Sequence, residues 1–138
     1  MRNIIRIGFV LLCICITPCL VSAGDFDGSA PLICIAVETH ECASGEDCLG
    51  GTPWDIGMPR FLKIDFKKKT ISGRGEGGDV RTTKIKKMEH LDGRVILHGV
   101  QRGLGWNMAI AERTGNMTLT ATGDEIGFVV FGECIATE

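Results

Sequence analysis

A chain of 138 residues is long enough for one hydrophobic core and too short for two ordinary domains. Its 15 lysines and arginines stand against 17 acids, a formal net charge of −2. No surplus of positive charge exists to hold a phosphate backbone, so nucleic acid is excluded as the expected partner.

The chain begins with a basic hexapeptide carrying Arg2 and Arg6, then an apolar run from Ile7 to Val21. Small residues at the positions a signal peptidase reads, Val21 and Ala23, complete a secretory signal over residues 1–23, cut between Ala23 and Gly24. The alternative, a membrane-spanning helix, falls short. Fifteen residues at ~1.5 Å each cover roughly 22 Å of a ~30 Å hydrocarbon core, and Pro18 interrupts the run. Lipidation of Cys19 is disfavoured, because Ile16, Thr17 and Pro18 replace the small residues such an anchor needs. The expected product is periplasmic or secreted, with no transmembrane segment left after cleavage. It comprises a flexible start over residues 24–30 and a single domain over 31–138. Losing Arg2 and Arg6 and no acid, it carries a net charge near −4.

Of seven cysteines, Cys34, Cys42, Cys48 and Cys134 survive cleavage. An even set in a small exported chain reads as disulfides. Zinc would favour C-x₂₋₄-C pairs, whereas seven and five residues separate the first three cysteines. A redox dithiol would favour C-x-x-C, which is absent. Four cysteines allow three pairings. The Ser44-Gly45 turn makes Cys42–Cys48 the local choice and leaves Cys34 to Cys134.

"PLICIAVETH" reads as the first strand. "GTPWDIGMP" then offers Thr52 as N-cap, Pro53 at the first helical position, Asp55 in the first turn and Gly57 as the stop. One short helix is expected near residues 53–57, a plain loop being the alternative, with Trp54 and Ile56 placed to plug a barrel end. From Phe61 onward the period is two. "FLKIDF", "TISG", "RTTKIKKMEHL", "RVILHGVQ", "LGWNMAIAER", "MTLTAT" and "IGFVVFGEC" follow, joined by short turns of which Asp92-Gly93 is the clearest hairpin signal. Met88 is out of phase with Ile85, which predicts a bulge. The expected fold is all-β: an antiparallel meander of about eight strands closing into a small barrel, with a β-sandwich as runner-up. A Cys34–Cys134 bond would sit at the seam.

Several motifs invite chemistry. "GRGEGG" (73–78) matches G-x-G-x-x-G, but an alternating β-rich segment follows instead of the helix a dinucleotide site needs. It reads as a connection between hairpins and a lip over the barrel mouth. Lysines 67–69 with Arg81, Lys84, Lys86 and Lys87 form a basic patch that reads as solvated strand faces and charged turns, the alternative being a docking surface for phospholipid headgroups or an acidic glycan. His40, His90 and His98 are scattered, with no partner recognisable from spacing. No catalytic residue, metal ligand or cofactor is expected.

The segment "WNMAIAERTGNMTLT" followed by "FGEC", together with the earlier "PLICIAVETHECASGEDC" and "TPWDIGMPRFLKID", resembles small exported proteobacterial proteins of unknown function. In these a tryptophan-bearing strand, a T-G turn, a further strand and a terminal G-x-C recur. The resemblance covers most of the mature chain and implies a periplasmic or secreted place in a Gram-negative cell. It brings no catalytic residues. Small periplasmic lysozyme inhibitors and lipocalins share such an architecture by analogy, without their signature motifs here. The expected function is a non-catalytic interaction module for a protein or envelope component, its barrel filled by side chains. The alternative is a carrier of a small apolar ligand lined by Leu97, Trp106, Met108, Leu119 and Phe128, and an enzyme or metal-binding protein comes third.

Overall fold

In the computed structural model the protein is described over residues 26–137. The expected signal, its Ala23–Gly24 cleavage point and the first two residues of the 24–30 segment lie outside them. Nine strands follow in chain order: β1 (Leu32–Ala43), β2 (Leu49–Gly51), β3 (Phe61–Asp65), β4 (Thr70–Arg74), β5 (Val80–Leu91), β6 (Arg94–Gln101), β7 (Leu104–Ala111), β8 (Asn116–Thr122) and β9 (Ile126–Ala136). Every pairing is antiparallel, and β1 pairs with β9. Eight strands therefore close into a barrel, and the three-residue β2 lies beside the far end of β1, from Thr39↔Gly51 to Glu41↔Leu49. Closure removes the two free edges that an open meander would expose.

Period-two alternation builds the interior. Leu62 and Ile64 of β3, Val95 and Leu97 of β6, and Met108 and Ile110 of β7 all point inward and are buried. Two bulges reset the phase. In β1 the register shifts between Ala36 and Glu38, so Leu32, Cys34 and Ala36 face in before it and Thr39 after it. Thr39 is buried, and its hydroxyl donates to the Thr52 carbonyl at 3.1 Å, which meets the cost of burying a polar group. In β5 the shift lies between Ile85 and Lys87, the place that the phase of Met88 indicates.

Cys34 and Cys134 are direct partners across the β1–β9 seam and are bonded, with an S–S distance of 2.05 Å. Cys42 and Cys48 form the second disulfide.

The expected helix near residues 53–57 is absent, and no helix occurs among the described residues. Its capping signals are nonetheless used. The Asp55 carboxylate accepts from the Thr52 amide at 2.6 Å and from the Thr52 hydroxyl at 2.8 Å. At the other end Gly57 has φ 64°, its amide donates to the Trp54 carbonyl, and the Met58 amide donates to that of Pro53. Start and stop are so close together that they enclose a single turn, too short to propagate as helix.

The two barrel ends differ. One holds the turns β3–β4, β5–β6 and β7–β8 and is plugged by Phe66 and by Phe26, which packs against the core and lies on Gly115. Thr137 there donates to the Pro31 carbonyl through both amide and hydroxyl, tying the segment after β9 to the residue before β1. The other end holds the connections β2–β3, β4–β5, β6–β7 and β8–β9, and side chains do not fill it.

Candidate ligand pocket at the barrel mouth

At this second end the interior opens into a cavity of about 230 Å³. Its wall is mostly apolar. Leu62 and Ile71 come from β3 and β4, Leu104 and Trp106 from β7, Leu119 and Ala121 from β8, and Phe128 and Val130 from β9. Ile56, Met58 and Pro59 of the β2–β3 connection form the roof. Polar groups appear as Ser72, Thr83 and Gln101, and the charged residues lining it are Arg81 and Arg102.

Trp106 is the largest wall element and is held on two sides. Its indole N–H donates to the Thr83 hydroxyl at 3.2 Å, so a mostly buried donor is satisfied. Its neighbour across β6–β7 is Gly99, where a Cβ would fall on the indole ring. Only a residue without a side chain admits the indole here. The roof is held by Arg81, whose guanidinium donates through Nη1 to the Gly57 carbonyl at 2.5 Å and through Nε to Asp79 at 2.7 Å. Pro59 presses on Gly73, where an added Cβ would stand 2.6 Å from the proline ring, and Arg60 accepts from the Ala36 amide.

Of the residues expected to line a ligand site, Trp106, Leu119 and Phe128 border this cavity. Leu97 and Met108 do not. They face each other in β6 and β7, are fully buried, and belong to the packed half of the barrel. Ile56 does close over the mouth, whereas Trp54 is turned outward and exposed. Residues 73–78 fall at the β4–β5 connection on the mouth side, closed by the Gly75 amide to the Asp79 carbonyl, and no helix follows them.

Each histidine gains a glutamate neighbour on folding. His40 lies 2.9 Å from Glu38, His90 2.9 Å from Glu112, and His98 Nε2 3.3 Å from Glu89. The three pairs are separate, none borders the cavity, and no serine or cysteine nucleophile joins them in a hydrogen bond among the described residues. No group of three or more His, Cys, Asp or Glu side chains able to hold a metal ion occurs among the described residues, and no helix there is long and apolar enough to cross a membrane. Comparison with known protein families, curated proteins and solved structures finds no match to this chain.

The roof also carries a pH prediction. The two hydrogen bonds from Thr52, the backbone one first, hold the Asp55 carboxyl below its ordinary value of 3.8. A carboxylate depressed in the folded state stabilises above the ordinary value and ceases to do so as pH falls through the lowered one. The Thr52 amide resonance should therefore titrate with a midpoint below 3.8, and Asp55→Asn should abolish that titration. A midpoint at or above 3.8 would show that the clamp is not formed.

Proposed function

We propose that this is an exported, non-catalytic β-barrel domain that takes a small apolar ligand in the mouth pocket. One observation carries the reading: inward alternation fills the lower half of the barrel and leaves an apolar cavity of about 230 Å³ around Trp106 in the upper half. A concave, mostly apolar site with a few polar groups at its lip is the usual form of a small-molecule site. Its volume exceeds the ~150 Å³ of an apolar cavity known to take benzene, so one ring or the end of one chain fits inside. The two disulfides suit an oxidising compartment, in keeping with the signal reading of residues 1–23.

The test is titration of the oxidised mature chain with N-phenyl-1-naphthylamine, a neutral apolar fluorophore. The expected result is saturable binding of one molecule per chain, displaced by 1-octanol. Absence of saturable binding by the folded, oxidised protein overturns the reading.

A second reading, docking of a protein partner, is favoured by the outer face at the seam. Exposed Ile33 and Ile135 are paired there, exposed Phe61 stands opposite Ile35, and exposed Val37 sits at the β1 bulge next to Phe131. An apolar strip of this kind on a barrel exterior is a recognised mark of an interaction surface.

A further inference from the structure

Resting on the ligand reading above, we propose that the occupant is a single-chain amphiphile with an anionic head. Its chain enters the barrel and its head is held at the lip by Arg102. The depth of the pocket asks for nothing polar. The Trp106 N–H is already spent on the Thr83 hydroxyl, and the other side chains facing it, Leu62, Leu104, Leu119 and Phe128 among them, are hydrocarbon. A ligand head placed there would lose its hydration without a partner, which is strongly unfavourable for a charged group. The head therefore stays outside, where the lining changes character.

At the lip the lining residues that carry charge are both arginines, and no carboxylate among the described residues borders the cavity. Arg81 is committed to Asp79 and to the Gly57 carbonyl, holding the roof. Arg102 forms no ion pair or side-chain hydrogen bond among the described residues, although Asp79 is near enough for the Arg102 charge to favour its ionised form. One guanidinium is thus left with its donors free beside the entrance, and a guanidinium matches carboxylate and phosphate oxygens in geometry as well as charge.

The backbone supports the assignment. Arg102 and Gly103 are the two central residues of the β6–β7 hairpin, both left-handed, with φ of 52° and 81°. The hairpin at the opposite end, β5–β6, meets the same demand with Asp92 and Gly93, at 49° and 71°. Such turns favour Asn, Asp or Gly, so the arginine sits where its backbone is strained. Lys69 and Glu125 share that region, so strain alone does not single out Arg102. Its position on the pocket lip does.

The experiment uses calorimetric titration of the oxidised mature chain with octanoate, 1-octanol and octylamine. Octanoate should bind about tenfold more tightly than octanol, and octylamine more weakly than either. Arg102→Asn should remove the advantage of octanoate over octanol. Asparagine adopts the left-handed conformation more readily than arginine, so this variant should fold at least as well. Arg102→Lys should keep most of the preference. Equal binding of octanoate and octanol, or an octanoate advantage that survives Arg102→Asn, overturns the anionic head while leaving the pocket reading standing. Failure of all three ligands overturns the pocket reading itself. Cosedimentation with phosphatidylglycerol vesicles without octanoate binding also overturns the proposal, since the chain then docks on a membrane surface instead of taking up a free amphiphile.

Discussion

Replacing Cys34 and Cys134 together by alanine should lower the unfolding free energy by about 5 kcal/mol, against about 2 for the same change at Cys42 and Cys48. In the chain-entropy account a loop of about 100 residues contributes ~4.7 kcal/mol and a loop of about six roughly 2, because the longer loop removes more freedom from the unfolded chain. The sequence separations are 100 and 6. Position adds to the difference. Cys34 and Cys134 are both buried and directly opposed in the register of β1 and β9, the pairing that turns a meander into a barrel. Alanine there also leaves space in the core. The Cys42–Cys48 bridge is peripheral and closes only the turn that leads into β2.

Small domains hold about 5–15 kcal/mol in total, so the long bridge accounts for a large share of the margin. Urea unfolding of the oxidised parent and the two double variants, monitored by far-ultraviolet circular dichroism, measures both losses. A loss below about 2 kcal/mol at the seam would show that strand pairing alone closes the barrel. That result would also remove the argument that the fold depends on an oxidising compartment.

Much of the barrel was legible because alternation and turn chemistry are local. "RVILHGVQ", "LGWNMAIAER" and "MTLTAT" coincide with β6, β7 and β8 to within two residues, and Asp92-Gly93 is the hairpin its composition announces. The β5 bulge was visible as a phase error. By contrast, β2 carries almost no signal: Leu49, Gly50 and Gly51 include two poor strand formers, and they pair because the Cys42–Cys48 turn returns them along β1. The helix near 53–57 failed for a different reason. Its start and stop signals form as local contacts, but only five residues separate Thr52 from Met58, and one turn gains too little to propagate.

The pocket was half legible. Alternation says which face a side chain takes but not how deep it sits along the barrel axis. Leu97, Met108 and Trp106 share the inward face, yet Leu97 pairs with Met108 in the packed half while Trp106 pairs with Gly99 towards the mouth. Thr83 and Arg81 lie in phase with buried Ile85 before the bulge, so their inward direction was available from the pattern. A polar residue at an inward position is itself a site signal, and grouping Arg81 with the surface lysines concealed it.

The Gly99–Trp106 pair should be the most sensitive point of the pocket. A Cβ at Gly99 would land on the indole and stand 2.7 Å from the Lys84 carbonyl, closer than packed atoms tolerate. Gly99→Ala gains about 0.5–1 kcal/mol from lost unfolded-state freedom, and overpacking costs about 1–3, so the clash wins. The expected net loss is about 1 kcal/mol, with Trp106 displaced from Thr83 and ligand binding abolished. Trp106→Ala should cost about 3–5 kcal/mol, since it empties the wall of the cavity and leaves the Thr83 hydroxyl without its partner. The double variant separates the two contacts of that Cβ. If the indole is the main obstacle, Gly99→Ala should become nearly neutral in the Trp106→Ala background, a coupling of at least about 1 kcal/mol. Strict additivity would place the obstacle at the Lys84 carbonyl instead, and Gly99 would then matter for strand approach and not for the pocket. Urea unfolding of the four chains gives the coupling. Fluorophore titration of Gly99→Ala gives the functional half, because a barrel that stays folded but no longer binds would locate the ligand against the indole that Gly99 admits.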